Sequence, residues 1–264
     1  MSDKFINESL LAEIKKYYAS ELTKENLCIT RYLKSEDLLK SLNGDYMYFS
    51  NPANWDDPFE EAVVRRLNVR GYSVFGICFT TSAYRNEEAF WRTCKEENKF
   101  LSSFSFKYSS FMEHLNSAVK STLKTEDYKI YSGLVDYSLQ RKDLEKDLTS
   151  KAISQMTDDE ELVKLLFRKR VAYSYENELR VIIKVKNGSK DEPYLNVGNF
   201  NLKTLIKHVR LEPLPKNILK MLEDDALRTT FKEKYIKSFT EEIKNEELKK
   251  SLKITVSRLD DFEF

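Results

Sequence analysis

The chain has 264 residues, 41% of them hydrophobic and 12% aromatic, enough for one large domain or two small ones with a real core. Charged residues make up 33% yet sum to only +1 at pH 7, which argues against a protein that coats nucleic acid through bulk charge. Six Gly and five Pro leave little room for long disordered linkers.

In chain order, residues 6–27 repeat apolar residues at helical spacing and predict an opening amphipathic helix. Nothing there reads as a signal peptide, and no apolar run reaches the roughly 18 residues of a membrane span, so the expectation is a cytoplasmic protein with no membrane partner. LCITRYL (27–33) predicts a short strand carrying Arg31. Ser35 is the expected N-cap of a short helix that ends at Asn43-Gly44. YMYFS (46–50) alternates as a strand and stops at Asn51-Pro52. The loop NPANWDDPFEE (51–61) leads into a helix at about 59–66, with Asp57 as N-cap and Pro58 in the first turn.

YSVFGICFTTS (72–82) predicts a buried strand, followed by a helix over 86–96, a strand over 100–106, a helix over 109–123 capped by Ser109 or Ser110, and a strand over 128–138. Residues 139–170 predict highly charged helix, 173–185 a strand, and 186–189 the turn that closes it. A short strand (208–213), a helix (215–227), a lysine- and glutamate-rich helix (228–250) and a last strand (252–260) complete the chain. Short strands scattered between helices indicate an α+β fold, a mixed sheet flanked by helices. The division predicted is an N-terminal helix (1–26), a core (27–215), and a helical C-terminal extension with a final strand (216–264). Cys28, Cys78 and Cys94 are odd in number and lack zinc spacing; Cys28 and Cys78 sit in apolar runs and are expected in the core. Two histidines, His114 and His208, far apart in sequence, suggest neither a metal site nor a histidine triad.

The run VAYSYENELRVIIKV (171–185) raises the functional question. On a strand Glu176, Glu178, Arg180 and Ile182 share one face, while Leu179, Val181 and Ile183 share the other. Two carboxylates then stand about 6–7 Å apart at the rim of the sheet. Such a pair polarises sugar hydroxyls or takes a proton from an attacking group; the plainer alternative is a solvated edge with a Glu–Arg pair. Arg31, inside an otherwise apolar strand, cannot shed its charge and calls for an anion, a protein carboxylate or a ligand phosphate. Ser50 ends an aromatic strand, where its hydroxyl faces a ligand or makes a turn. Asp57 reads as a helix cap or a substrate contact, and Trp91 as core or a pocket wall.

The segments RYL (31–33), YFSNPANWDDPFEE (48–61), GICFTTS (76–82), AFWRTC (89–94), FSFKY (104–108) and YSYENELRVI (173–182) resemble the bacterial family known as domain of unknown function twenty-nine seventy-one, over roughly residues 27–215. The chain departs from that family where a His-Tyr pair usually follows the Trp, since Trp91 is followed by Arg92, Thr93 and Cys94. It also has Tyr173 or Tyr175 where a Trp often precedes the Glu-x-Glu run. The order of an arginine, a strand-end serine and a Glu-x-Glu is in turn similar to the ADP-ribosyltransferase superfamily, which implies a split, mainly antiparallel sheet and NAD as a substrate, with no metal. That resemblance implies Arg31 on the phosphates of NAD and Ser50, with the adjoining Asn51, around the nicotinamide ribose. Tyr32 or Phe49 would stack on nicotinamide, Glu178 would steady the oxocarbenium-like transition state, and Glu176 would orient or deprotonate the acceptor. Asp57, Trp91 and Arg180 would face the substrate. The implied partner is a macromolecular acceptor, protein or nucleic acid, and the implied context a toxin or phage-defence effector with an antitoxin or defence-system partner. RGYSVFG lacks the spacing of a Rossmann glycine loop, so a site of that type is disfavoured. Two alternatives stay open: a non-catalytic module that binds a nucleotide or partner, and a metal-dependent nuclease built on Asp56, Asp57, Glu60, Glu176 and Glu178.

Overall fold

The computed structural model describes residues 27–55, 57–81, 87–93, 99–123, 127–139, 150–188, 192–214, 222 and 224–257. The helix expected over 6–27 lies outside them except for Leu27, as do Asp56, Cys94 and the start of the helix expected at 215–227.

The described chain is α+β, with a mainly antiparallel sheet of nine strands flanked by helices. Its first part runs β1 (Cys28–Lys34), α1 (Ser35–Gly44), β2 (Tyr46–Ser50), a 3-10 turn (Pro52–Asn54), α2 (Pro58–Val69), β3 (Tyr72–Thr80), α3 (Glu87–Thr93), β4 (Leu101–Lys107) and α4 (Tyr108–Leu123). Then come β5 (Tyr128–Leu134), β6 (Asp136–Leu139), α5 (Ser150–Gln155), α6 (Asp159–Leu165), β7 (Arg168–Arg170), a 3-10 turn (Val171–Glu176) and β8 (Glu178–Lys186). The last elements are β9 (Tyr194–Gly198), α7 (Leu202–Leu205), β10 (His208–Leu211), α8 (Asp225–Glu241), α9 (Glu246–Ser251) and β11 (Lys253–Val256).

Strand β3 is the axis of the sheet. One edge pairs with β8 along its whole length, Tyr72 opposite Lys186 through Thr80 opposite Glu178, and β8 pairs in turn with β5. The other edge is shared: β1 meets it only at Thr30–Thr80, and β2 only at Ser50–Gly76. The sheet therefore splits beyond β3. One arm continues through β1, β4, β10 and β11, the other through β2 and β9. Within it only β10 and β11 run parallel; β6 and β7 form a separate parallel pair.

Alternation assigns the two faces. Met47, Phe49, Ile77, Phe79, Leu179, Val181 and Ile183 enter a core closed by α1 and α4 through Leu38, Leu42, Phe111 and Leu115. Phe239, Ile243, Leu248 and Leu252, late in the chain, join that core. Val74 and Ile182 face the other way, under Val63, Val64 and Leu67 of α2 and Leu162 and Val163 of α6. Asp57 caps α2 by accepting from the Phe59 amide at 3.1 Å, with Pro58 at the first helical position, as its sequence predicts.

Several local expectations are corrected. Ser35 is not a cap: it lies inside α1 with its hydroxyl 2.5 Å from Ser102, and Lys34 occupies the cap position without a side-chain capping bond. Ser109 and Ser110 lie within the first turn of α4, which starts at Tyr108. Of the helical stretch expected over 139–170, residues 140–149 lie outside the described residues; the rest holds α5 and α6, the latter capped by Asp158, but ends in strand β7. Cys28 is exposed, because Ile29 takes the core position in β1. Strand β9 was not foreseen; it is short, with Tyr194 exposed and only Val197 buried.

Gly76 is the one β3 position where a side chain is excluded by contact. A Cβ there would lie 2.8 Å from the Trp55 ring and from Ile182 Cδ1. Gly76→Ala is predicted to lower stability by about 1–3 kcal/mol in urea unfolding, the range for overpacking a tight site; a loss under about 0.5 kcal/mol would show that Trp55 is free to move.

Candidate functional site

Helix α2 does not cover the second face of the sheet to its end. Past its first turn a hollow of about 500 Å³ opens over the middle of β1, the end of β3 and the start of β8. Thr30 and Tyr32, Cys78 and Thr80, and Glu178 and Arg180 form its floor, in keeping with their shared face on each strand. Trp55, Asp57 and Glu60 wall one side, and Lys169, Tyr173, Tyr175 and Glu176 the other.

Arg180 anchors the floor. It is 1% exposed, and its guanidinium donates from Nε to Glu178 Oε1 at 2.6 Å, from Nη2 to Glu178 Oε2 at 3.1 Å, and from Nη1 to the Leu166 carbonyl at 2.6 Å. Trp55 lies over the guanidinium, 4.8 Å from ring centre to Cζ. Glu60 Oε1 is 2.6 Å from Nη2, an ion-pair distance, though the contact falls short of an aligned hydrogen bond. Lys169 bridges the remaining acids, 2.6 Å from Glu176 and 3.3 Å from Glu178.

The three carboxylates differ in character. Burial opposes the charge of Glu178, yet Arg180 and Lys169 outweigh it and hold that carboxyl down to about 2. For Glu60 burial wins over Arg180, and its carboxyl is pushed up to about 7. Burial also raises Glu176, against the pull of Lys169. Lys169 itself is held above the usual lysine range: burial works against its charge, and Glu178 and Glu176 more than offset it. Three acids face two cations, so the fully ionised cluster carries one excess negative charge. Carboxylates pushed apart in this way inside a cleft mark a candidate site.

A larger hollow, about 640 Å³, lies at the opposite end of β3 and β8 beside Tyr72, Lys184 and Lys186. Its Lys129 and Lys184 pair with Glu160 at 3.0 and 3.2 Å, and it gathers no buried, strongly shifted acid like Glu60, so the smaller hollow is the candidate. Among the described residues no group of three or more His, Cys, Asp or Glu is placed to hold a metal ion. No described helix is long and apolar enough to cross a membrane.

The structure brings together Glu176, Glu178, Tyr32, Asp57 and Arg180 of the residues singled out by sequence. Glu176 reaches the site differently from the expectation. It does not share a strand face with Glu178; it ends the 3-10 turn, and Asn177 in a left-handed conformation (φ 41°) turns the chain into β8. Thr81 fixes that turn, its amide and hydroxyl each donating to the Asn177 carbonyl at 3.0 Å. Glu178 is buried, not on a solvated rim.

Other expected residues stand elsewhere. Arg31 shares the face of β1 that carries Ile29 into the core, donates to the Tyr48 carbonyl at 3.1 Å across the split, and does not line the hollow. Phe49 is fully buried in the core of the opposite face. Ser50 supports the hollow from beneath: its hydroxyl accepts from the Trp55 indole at 2.7 Å and reaches the Gly76 carbonyl at 3.4 Å. Asn51 is buried and accepts from the Ala53 amide. Trp91, 4% exposed, packs edge-on against Tyr32, which stacks on Phe90 at 4.9 Å. Lys169 and Trp55 were missed as site residues, and Glu60 was weighed only as a nuclease ligand. Nothing in local periodicity marks Lys169, which sits in the basic run Arg168-Lys169-Arg170.

No protein-family model, no curated protein and no solved structure matches the chain.

Replacing Arg180 by Met strands two buried carboxylates. Arg180→Met is predicted to cost about 3–5 kcal/mol in urea unfolding; a cost under about 1 kcal/mol would mean that Lys169 alone neutralises the cluster.

Proposed function

We propose that the hollow is the active site of an ADP-ribosyltransferase-like enzyme that consumes NAD and transfers ADP-ribose to a macromolecular acceptor. The observation that carries this is Glu178: an ionised carboxylate, 5% exposed, at the start of a central strand and facing an aromatic-walled hollow. Loss of nicotinamide builds positive charge on the ribose, and a fixed anion in a dry site stabilises that charge far better than water does. The excess negative charge of the cluster favours the same development. Arg180 donates to both Glu178 oxygens and Lys169 to Oε2, so of a carboxylate's roughly four acceptor positions at most one, on Oε1, is left for a ribose hydroxyl. Tyr32, backed by Phe90 and Trp91, offers a ring face for nicotinamide.

The phosphates are handled differently from what the resemblance implies. Arg31 is turned away, and Lys169 and Arg180 are committed to the acids; next to Lys169 stands Arg170, whose Nη2 donates to the Tyr173 hydroxyl at 2.9 Å. Its Nε lies 3.8 Å from Asp57 and carries no hydrogen bond among the described residues. Glu176, held by Lys169 at the edge of the hollow, orients the acceptor. The tight hold of two cations on Glu178 favours the second reading, a module that binds the nucleotide without cleaving it.

NAD carrying one label on nicotinamide and a different one on adenine, incubated with the protein and a cell lysate, separates the two. Wild type is expected to release nicotinamide and label a macromolecule, and Glu178→Gln to lose at least about 100-fold in release while keeping its circular dichroism. Thermal stabilisation by NAD with no release would favour the binding module, and an unimpaired Glu178→Gln would sink the enzyme.

A further inference from the structure

We propose that Glu60 is the residue that takes the proton from the acceptor as it attacks the ribose. This rests on the ADP-ribosyl transfer proposed above and assigns to Glu60 a step that the sequence resemblance gives to Glu176.

Three observations carry it. First, Glu60 lines the hollow and is nine-tenths buried or more, its side chain 3% exposed. Second, the other two acids of the cluster are occupied: Glu178 by Arg180 and Lys169, and Glu176 by Lys169 at 2.6 Å. Glu60 pairs with Arg180 Nη2 at 2.6 Å, but alone of the three it has a buried oxygen that receives no aligned hydrogen bond. A buried acceptor held by charge without an aligned donor keeps a lone pair for a proton, and such incompletely bonded groups persist where they are used. Third, it is rigidly placed. Asp57 caps α2 and Pro58 opens it, so Glu60 sits in a fixed first turn.

The step balances without a further reagent. The bond between the ribose C1′ and nicotinamide breaks, its electron pair leaving with the ring nitrogen as neutral nicotinamide. An acceptor lone pair forms the new bond to C1′, and the acceptor proton passes to the Glu60 carboxylate and then to solvent. A carboxyl near 7 suits this task, ionised often enough to act and basic enough to pull. The charged and titratable groups set around it are Arg180 and Glu178 on β8, Lys169 on β7, Cys78 on β3, Glu176 in the 3-10 turn and Asp57 before its own helix.

The test is the pH dependence of NAD turnover for wild type, Glu60→Gln, Glu60→Asp and Glu176→Gln. Only the ionised form of a base works, so wild-type kcat should fall about tenfold per unit below a pH near 7. Glu60→Gln should lose about 100-fold or more and show no such limb, with KM for NAD within about threefold of wild type. Glu60→Asp should recover part of the rate with the limb displaced, and Glu176→Gln should keep the limb. A Glu60→Gln variant that retains the wild-type rate or limb would overturn the proposal while leaving the transfer reaction intact. So would a limb abolished by Glu176→Gln alone. A wild type that releases no nicotinamide at any pH would overturn the reaction itself, and this role with it.

Discussion

A buried guanidinium holds the functional end of this protein together. Arg180 cannot lose its charge, so every group around it is arranged to answer that charge. Glu178 on its own strand, the Leu166 carbonyl after α6, Glu60 in α2 and the Trp55 ring all meet it. Two stretches far apart in the chain, residues 55–60 and 166–180, are thereby fixed to one point. Burying an ion pair in a sheet is seldom the most stabilising use of the space; apolar residues of similar volume do as well or better. The cost makes sense where the fixed charges have a task, and here they border a hollow.

The chemistry that follows depends on inequality among three acids. The same desolvation acts on each, but the cations are unevenly shared, so Glu178 stays ionised while Glu60 and Glu176 are raised. When all three are ionised, one excess negative charge faces an aromatic chamber, a setting that favours a ligand which becomes positive as it reacts. The split of the sheet beyond β3 produces that chamber, because β1 and β2 diverge after single contacts with it and α2 begins only at Pro58.

Much of this was legible in the sequence. The alternation of Glu178, Arg180 and Ile182 against Leu179, Val181 and Ile183 gave the two faces of β8 correctly, because a period of two survives any tertiary context that keeps the strand. Asp57-Pro58 marked the start of α2 through local cap chemistry. What failed were features set at long range. Asn177 in a left-handed turn decides where β8 begins, and Thr81 holds it from 96 residues away. Arg31 looked like a ligand-binding cation, but its side of β1 leads to Tyr48 and not to the hollow. Lys169 and Glu60 join the site only through folding, since nothing near either one in sequence announces the partner it meets.

The most direct test of the central claim is whether NAD enters this hollow. The chain has two tryptophans, so a nitrogen-15 spectrum shows two indole N–H signals. Trp55 lines the chamber with its N–H on Ser50, and Trp91 lies behind Tyr32. Titration with NAD should move the Trp55 signal strongly and saturably and the Trp91 signal to a lesser degree. Signals that stay in place up to millimolar NAD would contradict it.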